Sequence, residues 1–284
     1  MGNLIKLDNV SWAYARSGEW ALKNISLDIG EGEFIAVMGK NGSGKSTICR
    51  LINGLIPHSI PGTLLGTVTI DGTVTSSSTV AQLAKKAGMV FEDPRTQVFT
   101  ASIYDELAFA PENLLFTPDE IKEKINWALQ ITGLYEQKHS PPAQLSGGQK
   151  QRLAIAAALV MADKILVLDE PVSQLDSAGT EEVLSFIREF CTKKGLSVVM
   201  AVCSGEEAAE FADKICVLKD GYLAAFADRR EIFSDKKLID LTGILPPQVS
   251  EFASLMSDRG YALPDFPINT QEAVASALKW YKSK

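Results

Sequence analysis

The stretch Gly39-Lys40-Asn41-Gly42-Ser43-Gly44-Lys45-Ser46 decides how the rest of the chain is read. Ahead of it, Phe34 to Met38 is continuously apolar, which suits a strand buried on both faces. Behind it, KSTICRLINGL has helical spacing. The eight residues satisfy G-x-x-x-x-G-K-[ST] between a strand and a helix, the context in which that pattern forms a phosphate-binding P-loop. Glycines let successive backbone N–H groups turn inward onto phosphate oxygens, and the helix N-terminus adds its positive dipole end. Lys45 is expected to reach the β- and γ-phosphates of a bound nucleotide and Ser46 to ligate Mg²⁺. Gly39, Asn41, Gly42, Ser43, Gly44 and Thr47 complete the expected cofactor-binding set.

Two later stretches gain meaning beside this loop. The apolar run Ile165 to Leu168 ends in Asp169 and Glu170, then stops at Pro171. An acidic strand end is by itself a solvated terminus. Next to a P-loop, it predicts Asp169 as a metal partner and Glu170 as the base for an attacking water. Leu145-Ser146-Gly147-Gly148-Gln149 opens an alanine-rich helix. It reads either as a second anion site, with bare N–H donors at Gly147 and Gly148, or as a Ser146 cap on a glycine turn.

Around these motifs, short strands are expected over LIKLDNVSWAY, ALKNISLDI, GTVTIDGTVT and AGMVFED, with helices from about Ile103 to Leu134 and Gly179 to Lys194. ICVLKDGYLAAF reads as a hairpin turning at Asp220-Gly221. Alternating strands and helices predict an α/β fold whose parallel sheet is flanked by helices. After about Ile232 the texture changes to proline-containing segments and two helical patterns, the last with Asn269 and Glu272 at capping-box spacing.

The 284 residues allow one large domain with an appendage. A net charge of −7 supplies no global basic field, so no nucleic-acid partner is expected. Cys49, Cys191, Cys203 and Cys216 show no metal-binding spacing, and they read as reduced thiols. The N-terminus lacks a signal-peptide pattern, and the longest apolar run falls short of a membrane span.

The P-loop, Leu145–Gln149 and Leu168–Pro171, in that order, resemble the Walker A, signature and Walker B motifs of ABC ATPases. The resemblance covers at least Leu4 to Arg230. It implies an ABC ATPase core with an antiparallel β subdomain and a helical subdomain at about 95–155. Asp176 in SQLD looks like the family's D-loop, and Tyr14 sits where an aromatic stacks on adenine, although an aromatic on a strand face would look the same. The family works as a head-to-tail dimer in which one chain's Ser146, Gly147, Gly148 and Gln149 complete the other chain's site. Two positions depart from the pattern. Glu92 stands where a glutamine is usual and would be a further Mg²⁺ ligand. Cys203 stands where the switch histidine is usual; a buried packing thiol is the alternative. A thiol is a shorter and weaker donor, so the chain's own site is expected to be slow.

FEDPRTQVFTASIYDELAFAPENL and the C-terminal LPPQVSEFASLMSDRGYALPDFPINTQEAV resemble energy-coupling factor ATPases. That resemblance implies a 1–232 ATPase domain and a 233–284 dimerisation appendage. It also implies a second, related ATPase subunit, an integral-membrane scaffold and a membrane substrate-binding subunit. The expected location is the cytoplasmic face of the cell membrane, as a peripheral protein. Vitamins or related micronutrients would be the cargo, with a cobalt or nickel importer or a cytosolic regulatory ATPase as alternatives. Glu92, Asp93, Asp105 and Glu106 are expected to line an acidic groove for basic residues of the scaffold.

Overall fold

The computed structural model describes residues 3–93 and 100–282. In chain order the elements are β1 (Ile5–Tyr14), β2 (Trp20–Ile29), β3 (Phe34–Met38), α1 (Lys45–Ile52), α2 (Leu55–His58), β4 (Gly62–Ile70), β5 (Thr73–Val74), α3 (Val80–Ala84) and β6 (Ala87–Val90). Next come α4 (Ile103–Asn113), α5 (Pro118–Ile131), α6 (Gly147–Met161), β7 (Ile165–Asp169), α7 (Ser177–Lys194), β8 (Ser197–Ala201) and α8 (Gly205–Phe211). The chain closes with β9 (Lys214–Lys219), β10 (Tyr222–Asp228), α9 (Arg229–Ser234), α10 (Lys236–Thr242), α11 (Gln248–Asp258) and α12 (Thr270–Lys282).

The strands form two sheets. One is antiparallel, in the order β2-β1-β4-β5. The other runs β10-β9-β3-β8-β7-β6 and is parallel except for its edge strand β10, which joins β9 through the expected turn at Asp220 and Gly221. Both turn residues have positive φ, 51° and 84°. In β3, β7 and β8 every residue is buried, the pattern of parallel strands covered on both faces. One apolar core lies on the side of α6 and α7, and a second packs the other face against α1 and the antiparallel sheet.

The helical segment has its own core, in which Ile103, Leu107, Ile125, Leu129 and Leu153 meet. α5 starts where Pro118 predicts, with Thr117 and Glu120 forming a capping box. Residues 94–99, inside the string compared with energy-coupling factor ATPases, lie outside the described residues. α9 runs across position 232, and Ile244 and Ile268 beyond it join the core of the parallel sheet. Glu272 N donates to Asn269 Oδ1 at 2.9 Å, at the expected capping-box spacing. The short helices α2, α3 and α10 have no sequence expectation, because four, five and seven residues carry too little periodicity to register.

One ionic cluster ties the antiparallel sheet to the parallel one. Asp71 accepts from Lys164 at 2.7 Å and from Lys86 at 3.2 Å, and Lys86 also donates to Thr73 Oγ1 at 2.7 Å.

Candidate nucleotide site

β3 delivers the chain into a loop whose glycines are required by space as well as by backbone angle. Gly39 has φ 151°, and a Cβ there would come within 2.5 Å of both Leu218 O and Ser43 Oγ. Gly44 has φ 111°, and a Cβ there would meet Leu22 Cδ2 at 2.5 Å and Ala21 O at 3.0 Å. The loop closes onto α1, where Lys45 is buried at 6% exposure and donates to Gly39 O at 3.0 Å. Ser43 Oγ is buried and has no hydrogen-bond partner among the described residues. An orphaned hydroxyl in a glycine cradle fits a phosphate oxygen.

β7 lies two strands from β3 and brings its carboxylates to the same end of the sheet. Ser46 Oγ donates to Asp169 Oδ1 at 2.9 Å. Burial pushes the Asp169 carboxyl above its ordinary range, Ser46 opposes this, and the charges of Glu92 and Glu170 add to it. Glu170 takes a left-handed backbone, φ 49°, unusual for a residue with a Cβ. Its Oε1 lies 3.6 Å from Lys45 Nζ and accepts from Cys203 Sγ at 3.2 Å. The Cys203 thiol also lies 4.0 Å from Asn41 Oδ1. Burial raises the thiol's pKa and Glu170 raises it further, so Cys203 is a neutral donor near pH 7.

A pocket of about 360 Å³ collects Tyr14, Asn41, Gly42, Gly44, Lys45, Ser46, Thr47, Glu92 and Glu170. Tyr14 is held by a 2.9 Å hydrogen bond between its hydroxyl and Thr47 Oγ1, and Arg50 donates to the same hydroxyl at 3.3 Å. Among the described residues no group of three or more His, Cys, Asp or Glu forms a protein-only metal cage. That is no obstacle to Mg²⁺, which takes one or two protein oxygens and fills its octahedron with water and phosphate. Ser46 and Glu92 line the pocket and Asp169 is bonded to Ser46, so hard-oxygen donors that fit the ion stand together.

Residues 22–173 match the ABC transporter family. The chain belongs to the ABC transporter ATPases. It is 39% identical over 278 residues to a putative ABC transporter ATP-binding protein of Pyrococcus horikoshii, covering 98% of this chain and 97% of that protein. It is 37% identical to the energy-coupling factor transporter ATP-binding protein EcfA1 of Clostridium novyi, with 96% of each chain covered. Its fold matches the solved cbiO1 of Clostridium perfringens, described as part of the ABC transporter complex cbiONQ. The TM-score is 0.74 and the identity 30%, over 90% of this chain and all of the other.

In this ABC ATPase the signature residues do not reach the pocket. Ser146 caps α6 in a capping box with Gln149, and Gly147 and Gly148 face Gln174 and Leu175. Asp176 caps α7, its Oδ1 accepting from Gly179 N at 2.9 Å. The acidic groove changes. Asp105 is exposed, but Glu106 is buried and accepts from Thr100 N at 3.0 Å and Thr100 Oγ1 at 2.9 Å. Glu106 lies on the face of α4 that carries Ile103 and Leu107 inward, so its carboxylate closes a helix start and is not offered to a scaffold.

Sequence reasoning missed Glu207. It sits in the first turn of α8, where burial and the charges of Glu206 and Glu170 push its carboxyl up to about 7. Nothing in its spacing distinguishes it from a solvated helix-start glutamate. Ala21, the second residue of β2, lines the pocket as well.

Proposed function

We propose that this chain is the ATP-hydrolysing subunit of an energy-coupling factor importer, working against a second, related ATPase on a membrane scaffold. The observation that carries the reading is the length of the likeness to an energy-coupling factor ATPase, which takes in the C-terminal helices as well as the ATPase core. In this reading Gly39, Asn41, Gly42, Ser43, Gly44, Lys45 and Thr47 hold the triphosphate, and Tyr14 backs the adenine. Ser46, Asp169 and Glu92 hold Mg²⁺, which when bound supplies charge neutralisation at the β- and γ-phosphate oxygens.

Glu170 accepts the proton of the attacking water. Without nucleotide its carboxylate faces Lys45; the triphosphate offers that ammonium a stronger partner and releases the base. Cys203 donates to Glu170 where a histidine would also reach the γ-phosphate, so turnover in this site is slow. Glu92 adds negative charge beside the γ-phosphate in the same direction. Ser146, Gly147, Gly148, Gln149 and Asp176, turned away from their own pocket, serve the partner's site.

The C-terminal helices support pairing. Phe252 and Leu255 on α11, and Val274, Leu278 and Tyr281 on α12, leave more than half of each side chain exposed at helical spacing. No helix among the described residues is long and apolar enough to cross a membrane, which agrees with a peripheral subunit. The cargo, a vitamin or related micronutrient, or in a second reading a metal ion, would be chosen by the membrane substrate-binding subunit. Affinity purification of the tagged chain from membranes, followed by mass spectrometry, tests the assignment. The expected result is a second ATPase and two kinds of integral subunit; recovery of the chain alone from membranes that contain those subunits refutes it.

A further inference from the structure

Gln151 is fully buried in α6, one turn beyond the signature glycines, in a helix whose other inward positions are apolar. Its Nε2 donates to Pro171 O, the carbonyl directly after Glu170, while its Oε1 has no partner among the described residues. Burying an amide with one atom unsatisfied is costly where a methionine of the same length would fill the space. The cost is offset by what the donor holds. Glu170 occupies a left-handed backbone that a residue with a Cβ keeps only when its surroundings enforce it. On its N-terminal side Glu170 N is tied to Ala201 O at 3.1 Å, and on its C-terminal side the side-chain restraint is Gln151.

The same helix face touches the rest of the loop. A Cβ on Gly147 would meet Gln174 Oε1 at 3.4 Å, and one on Gly148 would meet Leu175 Cδ2 at 3.3 Å. Gly147, Gly148 and Gln151 lie on one side of α6, which packs the signature turn against the segment from Glu170 to Asp176. We infer that Gln151 is a positioning residue: through Pro171 it fixes the Glu170 carboxylate against Cys203 and Lys45, and it links the signature turn of the chain to the base of the chain's own site. The inference rests on Glu170 and Cys203 forming the proposed hydrolytic pair.

Cys203 supplies a readout independent of turnover. It is the one exposed cysteine; Cys49, Cys191 and Cys216 are buried. A carboxylate beside the thiol disfavours the thiolate and slows alkylation. Iodoacetamide labelling of Cys203 is followed at pH 8 in the full chain, in Gln151→Met and in Glu170→Gln, with the three buried thiols reporting folding. If Gln151 holds Glu170 in place, both variants label roughly three- to tenfold faster than the parent. Gln151→Met also lowers kcat on the order of 10-fold, with KM for ATP unchanged.

Acceleration by Glu170→Gln alone, with Gln151→Met at the parent rate, overturns the positioning role and leaves the site intact. No acceleration by Glu170→Gln overturns the pairing of base and thiol, and the inference falls with it. Should Gln151→Met unmask the buried thiols, Gln151→Glu is read instead. In Gln151→Glu a carboxylate has no proton for Pro171 O and burial drives it toward the acid, which can donate, so Gln151→Leu, with no donor at any pH, is read beside it. Gln151→Leu must give the same acceleration, and the parent rate there overturns the inference.

Discussion

Replacing Cys203 with histidine puts the proposed slow site to a quantitative test. The thiol makes one contact that bears on chemistry, its 3.2 Å hydrogen bond to Glu170 Oε1. A weak sulfur donor on a charged acceptor contributes about 1 kcal/mol, roughly fivefold in rate. A donor aimed at charge developing in the transition state typically contributes 10²–10³-fold, about 2.7–4 kcal/mol. Cys203 is exposed, so an imidazole can enter without displacing the core. Subtracting what the thiol already provides leaves an expected gain of about 20–200-fold for Cys203→His. The assay is single-turnover hydrolysis of γ-labelled ATP with the chain in excess, beside a binding measurement with a non-hydrolysable analogue. A rate unchanged or lowered, with analogue binding intact, refutes the view that the missing histidine limits this site.

Gly44→Ala drives a methyl into Leu22 and Ala21 O at a left-handed position, so ATP binding is lost and Tm falls, read by calorimetry and analogue titration. The hydrogen bond from Lys164, together with Lys86, holds the Asp71 carboxyl below its ordinary value. Its contribution to stability is therefore full above the unfolded pKa of about 4 and is lost as pH falls through the depressed folded value. Asp71→Asn lowers Tm on the order of 2 °C at pH 7, and the gap to the parent narrows as pH falls below about 4; a constant gap in thermal melts contradicts the linkage. Phe252→Glu combined with Leu278→Glu places charge on the exposed C-terminal face, weakens ATPase pairing in sedimentation and leaves monomer ATP binding unchanged. Unaltered pairing removes that face from the interface.

The phosphate loop and the acidic end of β7 are legible in sequence because each needs particular residue types at fixed spacing next to an apolar strand. Their convergence also follows, since parallel strands deliver their C-terminal ends to one edge of the sheet. Glu106 misled because charge was read as exposure; its i−3 and i+1 neighbours Ile103 and Leu107 place it on the buried face of α4. Gln151 was silent for a different reason. A single amide in an alanine-rich helix has no periodicity, and its importance comes from the carbonyl of Pro171, twenty residues away. Glu207 likewise depends on Glu170 across the fold. The signature and Asp176 are readable as motifs, and the family resemblance already implies that the signature serves the partner's site; what only packing shows is that the glycines face Gln174 and Leu175.

In the proposed function two unequal ATP sites drive one transporter, and this chain contributes the slower one. The direct measurement is ATPase activity of the purified complex with Glu170→Gln in this chain, compared with the matching change in its partner ATPase. The expected result is a minor loss from Glu170→Gln here and near-complete loss from the partner's change. Silencing by Glu170→Gln alone, with the partner's change tolerated, would contradict it.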